Sequence, residues 1–183
     1  VSIHIYSKDF KKARKLINNR TLEGQSSLAE IELLKGNLKK AERILKRLYK
    51  KFEAHTSTQE NDPYSLRTSL LSSLGLVYWW QGENNKAEPL LQEALNINES
   101  IYGKNHPNLI YPLINLAMVH KNKKEYIKAE KYLRRSLKLQ FIKIQKEAIF
   151  LPNSKRNSFL NTLGVSYDAI FTASNLHPRG SDL

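Results

Sequence analysis

From Leu66 onward the apolar positions fall three or four residues apart, with Leu66, Leu71, Leu74 and Tyr78 leading to a polar break at Gln81-Gly82-Glu83. The spacing resumes beyond the break, at Ala87, Leu91 and Leu95. This is the rhythm of helices with one buried side, and period-2 alternation is missing throughout, which disfavours strands. The pattern predicts helices over Leu66 to Trp80 and from Asn85 to about Gly103. A second pair is predicted over Leu109 to His120 and from Tyr126 onward, joined by a turn at Lys121 to Glu125. The last helix reads as one run from Tyr126 to Phe150, with Leu133, Leu137, Phe141, Ile144 and Ala148 on its apolar face and Lys138, Lys143 and Lys146 elsewhere. Pro152 should end it, and Asn153 or Ser154 can cap a further helix through Phe159, Leu160, Leu163, Tyr167 and Ile170.

The pattern repeats. Leu74-Gly75, Tyr78, Gly82, Ala87-Glu88, Leu91 and Ala94-Leu95 return forty-two residues later as Leu116-Ala117, His120, Lys124, Ala129-Glu130, Leu133 and Ser136-Leu137. An upstream copy reads Leu28-Ala29, Glu32, Gly36, Ala41-Glu42, Leu45 and Leu48, offset by forty-six, and "YSKDFKKARKLI" keeps Ala13 and Ile17 of an earlier one. Each unit thus holds two helices with a miniature residue at matched places: Ala29, Gly75 and Ala117 in the first, Ala41, Ala87 and Ala129 in the second. Helix axes approach to about 8–9 Å only where a side chain is nearly absent. The flanking leucines then interdigitate, each burial contributing roughly 1.5–3 kcal/mol. One unit cannot cover its own apolar face, so the expected fold is all-α, a helical solenoid of stacked antiparallel helix pairs.

The pattern L-x-x-L-[GA]-x-x-Y-x-x-x-G-x(4)-A-E-x-x-L-x-x-A-L resembles the tetratricopeptide repeat. The period and the "G-x-x-H-P" element, here Gly103-Lys104-Asn105-His106-Pro107, are similar to the variety in kinesin light chains and many bacterial proteins. The second and third units match well, while the first carries Glu32 in place of the aromatic residue. The tail "FLPNSKRNSFLNTLGVSYDAIFTAS" breaks the period and resembles the segment that joins such repeats to a CHAT domain in prokaryotic proteins, with Pro152-Asn153 replacing the usual Ser-Glu. That resemblance implies a caspase-like peptidase with a His/Cys dyad beyond Leu183. The organisation expected is a partial preceding repeat over 1–24, an array of about three repeats over 25–151, and a helical tail over 152–183 leading toward a further domain.

Composition narrows the chemistry. The 183 residues include 7 glycines and 6 prolines, few for an all-β protein with many tight turns. Cysteine is absent, which excludes disulfides, thiolate metal sites and a cysteine nucleophile in this chain and fits a cytoplasmic, reducing setting. No segment approaches the roughly 20 apolar residues of a membrane span. Val1 stands where neither an initiator Met nor a signal pattern is seen, and the chain is read as part of a longer protein. The net charge of +13 is uneven: residues 1–52 carry 14 Lys/Arg against 5 acids, residues 53–110 carry 3 against 7, and residues 111–151 carry 10 against 3. Solvated helix faces explain much of this, and an anionic partner is the alternative.

Nothing in the sequence forms a reaction centre. None of His4, His55, His106, His120 and His177 pairs at the i, i+4 spacing of a helical zinc site, and no acid completes a cluster. His120 takes the aromatic place of the repeat, and His106 precedes Pro107 at a helix start, where it structures the loop. There is no G-x-S-x-G elbow and no glycine-rich phosphate loop. No catalytic, metal-binding or cofactor-binding residue is assigned, no cofactor is expected, and the chain is not read as an enzyme.

A binding surface is the better reading. In tetratricopeptide arrays the first helices line a concave groove, and an Asn before the Leu-Ala pair can clamp a peptide backbone through its amide. Asn115 stands there, with Ser73 and Ser27 as its departures in the other units. Leu76 and Met118 should face the groove one turn on, with Tyr111 on the same helix as Met118 and with Trp79 or Trp80 and Lys121 at the rim. Two adjacent tryptophans point about 100° apart, so one packs and the other is exposed. Lys121, Lys123, Lys124, Lys128, Lys131, Arg134 and Arg135 form the densest basic cluster, suited to a partner bearing Asp and Glu. The expected function is a protein-interaction module that takes a peptide or protein segment and serves as the regulatory part of a larger CHAT peptidase-type protein. The alternatives are a scaffold that self-associates through open solenoid ends and, disfavoured for want of recognition motifs, a basic nucleic-acid-binding surface.

Overall fold

The structure is a computed structural model that describes residues 10, 17, 18, 21–55 and 63–148. Six α-helices order the described residues: α1 (Leu22–Leu34), α2 (Leu38–His55), α3 (Pro63–Trp80), α4 (Asn84–Tyr102), α5 (Ile110–Asn122) and α6 (Tyr126–Ala148). A 3₁₀ turn, Pro107–Leu109, leads into α5. No strand occurs among the described residues, and the fold is all-α, built of helix pairs.

The same turn closes each pair. In the first, the Gly36 N–H donates to Leu33 O and the Asn37 N–H to Glu32 O, at 2.9 and 2.8 Å. The second repeats this with Gly82 to Trp79 and Glu83 to Tyr78, the third with Lys124 to Lys121 and Glu125 to His120. These bonds satisfy the carbonyls a helix end leaves open, and they require one residue in the left-handed region. Gly36 and Gly82 supply it at φ 79°, and in the third pair Lys124 is forced into it at φ 63°.

The small residues sit where the helices touch. Ala29, Ala41 and Ala87 are wholly buried, with Ala117 and Ala129 nearly so. A Cβ added to Gly75 would stand 3.4 Å from Ala87 O and closer still to Leu91, so α3 and α4 meet at these residues. The Arg67 guanidinium on α3 and the Glu93 carboxylate on α4 bridge the same pair at 2.5 Å. In the first pair Leu45 and Leu48 of α2 and Ile31 of α1 are fully buried.

The structure corrects two expectations. The buried side of α6 is formed by Ala129, Ser136 and Leu139, whereas Leu133 is 41% exposed. The buried stripe is therefore rotated from the one the apolar residues mark, and Ser136 is tolerated in it because its Oγ donates to Leu133 O at 2.9 Å, which offsets the burial of the hydroxyl. Helix α5 starts one residue later than expected, behind the 3₁₀ turn, and runs two residues further, to Asn122. Glu32 fills the aromatic position of the first unit as a buried carboxylate (5% exposed), receiving the Asn37 amide at 2.8 Å and the Lys40 ammonium at 3.1 Å. Burial alone would raise its pKa, but those partners outweigh burial and hold it below the ordinary carboxylate value. Of the partial repeat expected over 1–24, Ile17 is buried against Ile31, with Phe10 and Leu28 packed beside them. The tail helix expected after Pro152, and residues 149–151 before it, lie outside the described residues.

Candidate functional site

The described chain falls into two compact units, residues 1–98 and 99–183, and the candidate residues divide between them. Ser73, Leu76 and Trp79 belong to the first; Tyr111, Asn115, Met118 and Lys121 belong to the second.

In the second unit, α5 buries Ile110, Pro112, Leu113, Leu116, Ala117, Val119 and His120. Tyr111, Asn115 and Met118 follow one another at i, i+4 and i+7, so they form one ridge on the side left uncovered. Tyr111 is 76% exposed, Asn115 and Met118 are half-buried, and Lys121 is exposed one turn beyond Met118. Among the described residues no group pairs with the Asn115 amide or the Lys121 ammonium. The ridge thus presents an aromatic ring, a free amide with donor and acceptor side by side, a thioether and a cation.

His120 anchors the back of this ridge. Its ring is 3% exposed, lies parallel to the Tyr132 ring at 5.3 Å between centroids, and shares a 2.8 Å hydrogen bond through Nδ1 with Glu125 Oε2. Glu125 also receives the ammonium groups of Lys128 at 2.9 Å and Lys123 at 3.4 Å. Lys128 and then His120 pull its carboxyl down to about 2. His120 is therefore a packing residue, and it ties the α5–α6 turn together. His106 is equally structural: Nδ1 accepts the Asn108 N–H at 3.2 Å as the cap of the 3₁₀ turn, and the ring stacks on Tyr102 at 4.8 Å. The loop is held from α6 by Arg135, which donates to Glu99 and, at 2.8 Å, to Lys104 O.

In the first unit, Trp79 and Trp80 meet edge to face, 5.3 Å apart at 78°. Trp80 is 60% exposed and Trp79 half-buried, which resolves the division of labour expected of adjacent indoles. The Trp79 Nε1–H is buried and has no acceptor among the described residues. Ser73 and Leu76 precede it on α3, both half-buried. Beneath them Tyr78 donates to Glu42 at 3.4 Å while Lys46 and Lys86 lie over its ring at 5.6 and 5.5 Å. Glu42 is held down by the Gln81 amide and by Lys46, so its carboxylate, like that of Glu125, is engaged within the fold.

Tertiary pairing changes the standing of the basic cluster. Lys123 and Lys128 are neutralised by Glu125, Arg134 by Glu130 and Arg135 by Glu99. Of the seven cations only Lys121, Lys124 and Lys131 have no partner among the described residues. Sequence density overstated this patch, because a count of cations does not weigh the acids one turn away, Glu125 and Glu130, or Glu99 on another helix. A signal that sequence reading missed is Glu30 on α1, whose carboxyl is pushed up by burial, with no cation paired to it among the described residues. Among the described residues no group of three His, Asp or Glu is gathered for a metal, and no helix is long and apolar enough to cross a membrane.

Comparison with known proteins agrees with this geometry. Residues 66–140 match the family model described as tetratricopeptide repeat. Among solved structures, the chain is similar to the crystal structure of BtubC (BKLC) from P. vanneervenii, with a TM-score of 0.54 and 20% identity. That match covers 87% of this chain and 65% of BtubC, so the chain spans a little under two thirds of that protein's length. At this identity the likeness is one of fold. No curated protein matches this chain in sequence.

Proposed function

We propose that this chain is a protein-interaction module whose α5 ridge receives an extended peptide or protein segment. Tetratricopeptide repeats generally mediate protein–protein contacts, and the reading for this chain is carried by one observation: Asn115 offers an unpaired amide between the exposed Tyr111 ring and Met118. Such an amide can accept from a backbone N–H and donate to the next carbonyl. Tyr111 supplies low-entropy contact area of the kind that dominates interface energetics. Lys121 adds attraction for a carboxylate, on an acidic side chain or a C-terminus. In the first unit, the unsatisfied Trp79 Nε1–H and the exposed Trp80 ring form a second contact point of similar character.

Peptides selected from a displayed random library on the full chain provide the probe. Asn115→Ala and Lys121→Glu should each weaken the selected peptides about tenfold, close to 1.4 kcal/mol, while the melting temperature stays within about 2 °C. Unchanged affinity in both variants would remove the ridge from the function. The resemblance of residues 150–163 to the CHAT-linking segment supports a regulatory place beside a caspase-like peptidase in a longer protein. The downstream reading frame tests this directly, since a His/Cys dyad must be encoded there.

Self-assembly is the second reading. It is favoured by Ile127, an aliphatic side chain 85% exposed on α6, with Leu133 exposed on the same helix. Sedimentation across a concentration series separates the two, because a chain monomeric at every concentration is not a scaffold built of copies of itself.

A further inference from the structure

Helix α2 carries a second kind of surface, which owes nothing to the ridge on α5. Its sequence, LKKAERILKRLYKKFEAH, buries Ala41, Leu45, Leu48 and Phe52 on one side, against α1 and α3. Directly opposite lie Lys39, Arg43, Arg47 and Lys50, all exposed. At 100° per residue these four fall within an arc of about 80°, in single file, over a rise of about 17 Å. Among the described residues none of the four meets an acid. The acids around this face are engaged elsewhere: Glu32 on α1 with Lys40, Glu42 on α2 itself with Lys46, and Glu53, one turn beyond Lys50, with Tyr49. The two ion pairs neutralise the flanks and leave the central line charged.

Like charges four apart on a helix repel each other, so the line opposes helix formation without any compensation inside the described fold. Its shape narrows what could compensate it. No exposed apolar or aromatic side chain stands in the line: Tyr49 is half-buried and Phe52 buried. Single-stranded nucleic acid takes much of its affinity from stacking on such rings, and peripheral membrane helices bury apolar side chains into the lipid boundary. A lipid surface is also a plane, whereas here the unpaired charge is a line one side chain wide. The axial steps of about 6 Å between cations four residues apart equal those between carboxylates at i, i+4 and i+8 on a second helix, or at alternate residues of an extended strand.

From this juxtaposition we infer that the outward face of α2 is a docking line for an acidic segment of a partner protein, presenting carboxylates about 6 Å apart. Affinity there is electrostatic, so it falls steeply with salt and shows mainly in the association rate.

The test uses the full chain and a fluorescent alanine-based helical peptide with Glu at every fourth position, read by anisotropy at low and physiological salt. One variant carries Lys39→Gln, Arg43→Gln, Arg47→Gln and Lys50→Gln. The control loses the same charge from α6, through Lys131→Gln, Lys138→Gln, Lys143→Gln and Lys146→Gln. The α2 variant should bind the peptide at least about tenfold more weakly, a loss near 1.4 kcal/mol, and the control less than about threefold. Equal losses in both would show that only net charge matters, and no measurable binding by the unaltered chain at low salt would leave the line merely solvated; either result overturns the inference. So would tighter α2-dependent binding of an oligouridine RNA, or of vesicles of phosphatidylcholine with phosphatidylserine. Should the fourfold α2 variant fail to fold, the paired variants Lys39→Gln with Arg43→Gln and Arg47→Gln with Lys50→Gln carry the same comparison. Because these residues are on α2, their failure leaves the Asn115 ridge untouched.

Discussion

Gly75 lies so close to Leu91 that a Cβ built on its backbone would stand 2.7 Å from Leu91 Cγ and 2.8 Å from Cδ2. No side chain heavier than hydrogen fits there without moving a fully buried leucine. Gly75→Ala gains up to about 1 kcal/mol of helix propensity and loses about 1–3 kcal/mol to overpacking. The net expectation is a modest loss. Gly75→Leu and Ala87→Glu should each cost several kcal/mol, by overpacking and by burial of a charge. Urea denaturation of the three variants checks this order, and near-native melting of Gly75→Leu would mean that α3 and α4 touch elsewhere.

Lys124 and Gly82 occupy the same place in successive turns, yet only one is a glycine. A lysine at φ 63° bears a backbone cost that glycine escapes. Lys124→Gly should therefore stabilise the protein by up to about 1 kcal/mol, whereas Gly82→Ala should destabilise by a similar amount. The space around Gly82 is open, with nothing within 4 Å of an added Cβ, so the second effect would come from φ alone. Thermal melts of the two variants should shift in opposite directions.

Glu125 gives the fold an acid-sensitive joint. Its carboxyl titrates at about 2 when folded, below its ordinary value of 4.5, so the unfolded chain takes up its proton first. The stabilisation is complete above about pH 4.5 and is lost as pH falls toward 2. Glu125→Gln should lower the melting temperature at neutral pH and make it fall less between pH 4.5 and 2 than in the unaltered chain. Parallel curves for the two proteins would deny Glu125 this role.

His106 caps the 3₁₀ turn and stacks on Tyr102. His106→Ala removes both contacts and should cost about 1–2 kcal/mol. His106→Asn restores an acceptor without the ring, and should recover about half of that loss. Equal stability of the alanine and asparagine variants would mean that the cap contributes nothing.

Much of the architecture could be read from spacing. The matched Gly75/Ala87 and Ala117/Ala129 positions, the turn at Gln81–Glu83 and the single long helix from Tyr126 follow from period and side-chain size, which are local properties of a chain. Exposure at Tyr111 and the free amide of Asn115 also agree with placement by helical period, because on a helix with one buried side the remaining sides are set by arithmetic.

What required the tertiary structure was which charges cancel. Lys123, Lys128, Arg134 and Arg135 read as a basic patch until folding brings Glu125, Glu130 and Glu99 to them. Lys39, Arg43, Arg47 and Lys50 read as an ordinary solvated face until the fold commits Glu32 of the neighbouring helix to Lys40. The choice of Ser136 over Leu133 for burial was likewise made by the neighbouring helix and a backbone acceptor. Helix period depends on residues one turn apart, which a sequence displays. Pairs one turn apart, such as Arg134 with Glu130, are open to that same arithmetic. But ion pairing falls off within a few ångströms and also joins residues 36 apart along the chain, as in Arg135 and Glu99, and those pairs only the folded chain determines.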